Sequence, residues 1–162
     1  TAGGGGHSAE ILSHLSADGR MILIDQDPDA VETVTKRFYG DSRVTIVHDN
    51  FCNFADILRN IGVDSVDGVV ADLGVSSHQL DTAERGFSFH NDALLDMRMS
   101  KEGISAKDIV NEYSFQQLSK IIFEYGEEKF SKKIASLIIK ARQEKNIETT
   151  LELVEIIGYT DP

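Results

Sequence analysis

The sequence predicts an α/β fold built on a parallel sheet, joined to a small helical subdomain. A run of four glycines opens the chain, and apolar runs then alternate with helical segments through the first half. The second half contains helix-capping patterns and no further strand pattern. Strands separated by single helices pair in parallel. We therefore expect a core at residues 1–100, a helical insert at 101–158 and a tail at 159–162.

The core elements follow from local signals. An apolar run ends at Asp25, and Asp27 with Pro28 begins a helix, because Asp can cap and Pro suits the first helical position. That helix extends to about Phe38, and a later one is closed by Gly62. The predicted helices of the core lie at residues 8–15, 28–38 and 54–61, and its predicted strands at 21–25, 44–48 and 66–73.

The second half begins with a polar segment at residues 74–90 that lacks a strand pattern. Helix starts are then predicted at Ser105, Ser114 and Thr149, each followed three residues later by Asp, Gln or Glu. The predicted helices between these starts cover residues 115–125 and about 128–144. This half therefore forms the helical subdomain.

Composition limits the function classes. The chain has 162 residues and a formal charge of −11, which argues against generic nucleic-acid binding but leaves room for a local basic face. Cys52 is the one cysteine, so no internal disulfide forms and a reducing compartment, the cytoplasm, is expected. The sequence shows no membrane span or signal peptide. A glycine loop normally follows a strand, so we expect an internal segment of a longer protein.

The glycine run predicts a nucleotide-type cofactor loop. Gly4-x-Gly6-x-x-Ala9 fits the dinucleotide fingerprint, and Asp25 ends a strand about 20 residues further on. Glycines admit a ligand close to the backbone, and a strand-end carboxylate accepts hydrogen bonds from ribose hydroxyls. The alternative for the glycines is a flexible terminus, and for Asp25 a solvated strand end.

Polar residues after the second and third predicted strands are further candidates, because ligands sit at strand ends in α/β sheets. Asp49 could accept from the exocyclic amine of a base and Phe51 could pack on its ring, although core packing is equally open for Phe51. Asp72 and Gln79 flank a segment rich in Gly and Ser, which suits a reacting centre better than a core.

Weaker signals concern RNA and metals. Arg85 and Arg98 could hold phosphate, although ion pairs are the commoner role for arginine in so acidic a chain. Lys129, Lys132 and Lys133 belong to one basic stretch, for which a solvated face is the usual interpretation and RNA contact the minority hypothesis. The histidines and Cys52 lack the spacing of metal ligands, so no metal site is predicted.

Several motifs together resemble a known family, the ribosomal RNA small subunit methyltransferase H family. They occur in the family's order across nearly the whole chain. The motifs are Gly-Gly-Gly-Gly-His-Ser from Gly3, Leu-Ile-Asp-Gln-Asp-Pro from Leu23, Asp-Leu-Gly-Val-Ser-Ser-His-Gln-Leu-Asp from Asp72, Glu-Arg-Gly-Phe-Ser-Phe from Glu84, Leu-Asp-Met-Arg-Met from Leu95, Tyr-Gly-Glu-Glu-Lys-Phe from Tyr125 and Thr-Thr-Leu-Glu-Leu from Thr149.

The resemblance implies a cytoplasmic S-adenosylmethionine-dependent methyltransferase acting on N4 of a cytidine in 16S rRNA of the small ribosomal subunit. It implies a Rossmann-like class I core, here without its first and later strands, and an inserted helical domain. No membrane partner is implied, and a homodimer is left open. The cofactor contacts that it implies are Gly5, Gly6, His7, Asp25, Phe51, Asp72 and Gln79.

Asp72 is the acid that we place nearest the reacting centre, where it either orients the amine or holds the methionine part of the cofactor. The rival hypotheses are an NAD-type dinucleotide-binding enzyme, suggested by the glycine pattern, a non-catalytic interaction module, and a small-molecule methyltransferase. The first lacks an obvious hydride-transfer partner, and the helical half with its basic stretch favours RNA over a small molecule.

Overall fold

A computed structural model describes residues 1–158, and the predicted tail at 159–162 lies outside the described residues. The chain divides into two compact units. The first, here called the strand unit, comprises Thr1–Ser76 and Met99–Lys101. The second, the helical unit, comprises Ser77–Arg98 and the described residues from Glu102 onward. Residues 77–98 thus group with the helices, while the division into domains after residue 100 stays a prediction.

The strand unit contains a two-stranded parallel sheet with helices between and after its strands. Met21 lies opposite Val44, and Asp25 lies opposite His48. The sequence predicts the three α-helices and two strands observed here with bounds within two residues, but not the short 3₁₀ helix at Phe51–Asn53. They are α1 (Gly6–His14), β1 (Met21–Asp25), α2 (Pro28–Arg37), β2 (Val44–His48) and α3 (Phe54–Asn60).

Local chemistry explains why these elements begin where they do. Oδ1 of Asp27 accepts the N–H of Asp29 at 3.0 Å, and Pro28 occupies the first turn of α2, as predicted. Alternate residues of β1 are buried, which is the pattern of a strand packed on one face. The buried apolar residues that form the core of this unit are Ala2, Leu12, Met21, Leu23 and Val34.

The strand predicted at residues 66–73 is not formed within the described structure, and that prediction is wrong. Val69, Val70 and Leu73 are 67%, 65% and 61% exposed. A strand requires a neighbour to pair its backbone N–H and C=O groups, and in the described residues β1 and β2 pair only with each other. A run rich in valine predicts that a segment would fit a sheet, but it does not supply the neighbour.

The helical unit is held by caps that the sequence predicts. Ser105 with Asp108 and Ser114 with Gln117 form complete capping boxes. Thr149 Oγ1 accepts the N–H of Glu152 at 3.3 Å, and a carboxylate oxygen of Glu152 accepts the N–H of Thr149 at 3.2 Å. The helices are α4 (Ser77–Asp81), α5 (Ala106–Glu112), α6 (Phe115–Glu124), α7 (Ser131–Glu144) and α8 (Thr150–Gly158).

One helix start differs from the prediction. α7 begins at Ser131 rather than near Glu128, because Glu127 has a left-handed backbone (φ 52°) and the Glu128 side chain accepts the N–H of Phe130 at 2.7 Å. α7 also supplies much of the core of the unit. The buried apolar residues of this core are Leu95, Val110, Leu118, Ile134, Ala135, Ile138 and Ile147. Across residues 1–158, every helix is too short or too polar to cross a bilayer.

Candidate cofactor site

The buried side chain of Asp25 binds the start of the glycine loop. Asp25 is 7% exposed, and its Oδ2 accepts the N–H groups of Ala2 and Gly3, each at 3.0 Å. Its Oδ1 accepts the N–H of Asp27 at 2.9 Å. A carboxylate offers about four lone-pair positions. Since three N–H groups are bound, Oδ1 keeps a position for one more donor, such as a hydroxyl.

The shape of the loop is fixed by α2. Gly5 has φ 74°, and a Cβ at this position would lie 3.0 Å from the Phe38 ring and 3.2 Å from Val34. Nη1 of Arg37 donates to the carbonyl of Gly4 at 2.7 Å. Glycine is therefore required at position 5 both by backbone conformation and by close packing. The sequence predicts the glycines, but not that Arg37 contacts them.

The other glycines of the run leave the loop open to a ligand. A Cβ on Gly3, Gly4 or Gly6 would meet no atom within 4 Å, so these positions border free space. Gly5 is the N-cap residue of α1 and has no side chain to bond the first-turn N–H groups. Backbone N–H groups at a helix start suit polar or anionic parts of a ligand. The loop thus offers donors from the main chain while Asp25 offers an acceptor.

Asp72 lies beside the glycine loop, and its predicted role stays a prediction. Nδ1 of His7 is 3.5 Å from Oδ2 of Asp72, and both side chains are exposed. The hydroxyl of Thr1 donates to the carbonyl of Asp72 at 2.6 Å. The structure therefore joins Asp72 to two residues at the start of the sequence, Thr1 and His7. An exposed pair of this kind adds little stability. Because the Asp72 side chain is exposed, its carboxylate is accessible.

Phe51 follows β2 and is half exposed, at 50%. Asn50 fixes its turn, because Oδ1 of Asn50 accepts the N–H of Cys52 at 2.9 Å. The N–H of Asp49 donates to the backbone carbonyl of Asp25 at 3.0 Å, which joins the two strand ends. Of the two alternatives for Phe51, ordinary core packing does not describe it, and its ring has a face available for a flat ligand.

The sequence did not single out a group of amides at the same strand ends. Nδ2 of Asn50 donates to Oε1 of Gln26 at 2.9 Å, and Nε2 of His48 lies 3.1 Å from the Gln26 carbonyl. Nε2 of Gln26 lies 3.5 Å from Sδ of Met99. In the parallel register, Asp25 lies opposite His48, so the residues that follow the two strands also lie close together. Applying this register to the sequence would have predicted the contact between Gln26 and Asn50.

The two arginines predicted to hold phosphate lie in the helical unit and have internal partners. Arg85 is 5% exposed, and its Nη2 donates to the carbonyl of Arg98 at 3.0 Å. Arg98 forms a forked pair with Asp96, with N···O distances of 2.6–3.1 Å. Hydrogen bonds from Arg98 hold the pKa of the Asp96 carboxyl below its usual value. Both arginines stabilise the turn between residues 85 and 98, in agreement with the ion-pair alternative for Arg98.

The remaining predicted site residues lie in the helical unit. Gln79 is buried on α4, and its place in the cofactor site stays a prediction. Lys129, Lys132 and Lys133 are all exposed, the last two on α7. Among the described residues, no group of three or more His, Cys, Asp or Glu side chains could hold a metal ion.

The comparisons with known proteins identify the class to which this chain belongs. Residues 1–162 match the model of the MraW methylase family. The chain therefore belongs to this family, and the resemblance drawn from the sequence motifs is confirmed. The family is one of methyltransferases, and the α/β content with a small parallel sheet agrees with it.

Individual relatives are similar along the whole chain. A protein of Lachnospira eligens is 51% identical over 164 residues, which cover 100% of this chain and 52% of that protein. A protein of Clostridium botulinum strain Kyoto is 54% identical over 163 residues, covering 100% of this chain and 53% of that protein. Both are named ribosomal RNA small subunit methyltransferase H. The chain spans about half the length of the curated relatives it matches.

Proposed function

We propose that this chain forms part of a methyltransferase that uses S-adenosylmethionine and methylates N4 of a cytidine in 16S rRNA of the small ribosomal subunit. Membership of the MraW methylase family and the names of its relatives support this proposal. The single observation that carries it is the buried Asp25 carboxylate bound to the backbone of an open glycine loop. A ribosomal RNA substrate also agrees with the cytoplasmic localisation expected from the sequence.

The residues present fit such a cofactor. Asp25 keeps one acceptor position on Oδ1 for a ribose hydroxyl, and the half-exposed Phe51 offers a ring face to the adenine. Gly5, Gly6 and His7 form the start of α1, where a Cβ on Gly6 would border open space. The cofactor supplies an electrophilic methyl carbon on a sulfonium sulfur.

The acceptor amine is a weak nucleophile, because its lone pair is conjugated into the cytosine ring. Position and orientation must therefore provide much of the rate enhancement. Asp72 is exposed, lies beside His7 and can accept a hydrogen bond from the amine or from the methionine part of the cofactor. The amine would lose one proton to solvent as it accepts the methyl group. The target base must leave its stack to reach such a pocket.

The proposal also assigns each part of the chain to a domain of the family fold. We assign residues 1–100 to a Rossmann-like class I core and residues 101–158 to a helical insert. The exposed Val69 and Val70 belong to the part of the chain that we assign to this core. The partner that we propose is the small ribosomal subunit. The proposal is also compatible with a homodimer.

Transfer of tritium from labelled S-adenosylmethionine to small ribosomal subunits tests the activity. We expect incorporation with the full-length protein, and loss of most of it in the Asp25→Ala variant. Calorimetry should show donor binding in the parent and weaker binding in the variant. Stabilisation by NADH but not by S-adenosylmethionine in a thermal-shift assay would contradict the proposal, as would donor binding that is independent of Asp25.

A further inference from the structure

The helical unit exposes three large aromatic side chains within eight residues. Phe123, Tyr125 and Phe130 are 59%, 82% and 56% exposed. They surround the turn between α6 and α7, while α6 and α7 contribute Leu118, Ile134 and Ile138 to the core. Exposed aromatic groups that are close in sequence mark surfaces that contact another molecule.

Next to these rings lies the basic face of α7. Between Lys129 and Gln143 the chain has four lysines and one arginine and no acidic residue, within a protein of formal charge −11. Lys132, Lys133 and Lys140 are exposed and lie within about 100° of the helix circumference. The opposite side of α7 is buried in the core. The basic face is therefore held rigidly, and its charge is local rather than a property of the whole chain.

We propose that these side chains, called here the basic–aromatic surface, bind a single-stranded segment of the RNA that is methylated. The surface consists of Phe123, Tyr125 and Phe130 together with Lys129, Lys132, Lys133 and Lys140. This inference rests on the proposed function, because it assigns a second contact to the same substrate.

Each half of the surface matches one part of an RNA strand. Aromatic rings stack on bases regardless of sequence, and lysines neutralise phosphates. Unpaired RNA presents both parts together, because its bases are unstacked and free to contact a protein. Glu124, Glu127 and Glu128 all precede Lys129, at the turn between α6 and α7. The phosphates would therefore follow α7, and the bases would lie over the turn.

Two pairs of matched variants of the full-length protein test this proposal. Tyr125→Leu removes a stacking ring from the surface, and Tyr39→Leu removes an equally exposed ring from the strand unit. Lys132→Gln removes a charge from α7, and Lys36→Gln removes one from α2. Binding to a labelled 16S rRNA fragment is measured over a series of salt concentrations, and donor binding is measured by calorimetry.

The expected result is a loss of RNA affinity of about tenfold for Tyr125→Leu, recovered in Tyr125→Phe. Lys132→Gln should reduce the slope of log K against log salt by about 0.7. The two control variants should bind RNA like the parent, and all variants should bind S-adenosylmethionine equally well.

RNA binding that is unchanged in both surface variants would overturn the proposal while leaving the methyltransferase function intact. A change of oligomeric state in Tyr125→Leu, with RNA affinity unaltered, would instead assign the surface to a second copy of the chain. If the parent bound neither donor nor RNA, the proposed function itself would fail and this inference with it.

Discussion

Each unit holds one aspartate by several hydrogen bonds, but Asp25 is buried while the Asp96 side chain is 24% exposed, and their partners are opposite in kind. In the strand unit, Asp25 accepts three backbone N–H groups from the glycine loop and the turn after β1. In the helical unit, Asp96 is held by the guanidinium of Arg98, which also donates to the carbonyl of Gly103 at 3.3 Å. One carboxylate is bound by neutral dipoles, and the other by a positive charge.

This difference separates a site from a structural support. A carboxylate paired with arginine has its charge neutralised and its lone pairs occupied, so it offers little to a ligand. A carboxylate that is bound by three backbone N–H groups, like that of Asp25, keeps one acceptor position for a ligand. A ligand with hydroxyl groups and a sulfonium charge suits the second arrangement. Asp25 therefore suits ligand binding, whereas Asp96 organises the turn around residues 85–98.

The largest effect is expected from breaking that turn. Gly86 has φ 69°, and a Cβ would lie 2.5 Å from the carbonyl oxygen of Leu94 and 2.8 Å from the N of Asp96. We expect Gly86→Ala to lower the free energy of unfolding by about 3 kcal/mol, through strain and overlap combined. Gly103→Ala is the control, because Gly103 has φ 79° but open space around it, and about 1 kcal/mol is expected. If denaturant titrations showed equal losses of stability in the two variants, the structure around Gly86 would have to shift to remove the overlap with the new Cβ.

Asp25 provides the next largest effect. In Asp25→Ala, the N–H groups of Ala2, Gly3 and Asp27 lose their partner, at a cost of about 2 kcal/mol in stability. Asp25→Asn keeps an acceptor oxygen and should lose less. Calorimetry at a temperature where both variants are folded should show weaker donor binding in each. Full donor affinity in Asp25→Asn would show that the charge is not needed, in contrast to the comparison drawn above.

The Asp96–Arg98 pair predicts a dependence of stability on pH. Because hydrogen bonds from Arg98 lower the pKa of Asp96 in the folded state, the pair stabilises the protein above the unfolded pKa of about 4. This contribution is lost as the pH falls through the lower folded value. Melting temperatures measured between pH 6 and pH 2 should fall more steeply in the parent than in Asp96→Asn. Asp64→Asn, which removes an exposed carboxylate, should follow the parent curve.

The smallest effect is expected at Arg37. Its hydrogen bond to the Gly4 carbonyl is exposed, so Arg37→Met should change stability by less than about 1 kcal/mol. Arg37 and Asp25 both bind the glycine loop, and this variant would remove one of these two contacts. The KM for S-adenosylmethionine should rise about threefold while kcat stays nearly constant. Lys36→Met on the same helix is the control. A lower kcat with an unaltered KM would show that Arg37 acts beyond the loop.

Much of the fold was predictable because its signals are local. The caps at Ser105, Ser114 and Thr149 lie within three residues of the groups that they bind, so short sequence patterns contain them. The helix start at Asp27 is local in the same sense. The strand expected at residues 66–73 failed because pairing requires a distant segment. The motifs gave Asp25, Asp72 and the glycines, but not the contact of Arg37 with Gly4 across 33 residues.

The sequence by itself therefore determined the family, strands β1 and β2 and the α-helices of the described residues except α4, since propensity, capping and motif spacing are properties of neighbouring residues. Only the tertiary structure decided that Asp25 binds the loop through backbone N–H groups, that Phe51 is half exposed and that Arg85 is buried. These outcomes depend on which distant groups meet and how much water they exclude. A short sequence pattern does not predict these outcomes, because the contacts that decide them form only when distant parts of the chain fold together.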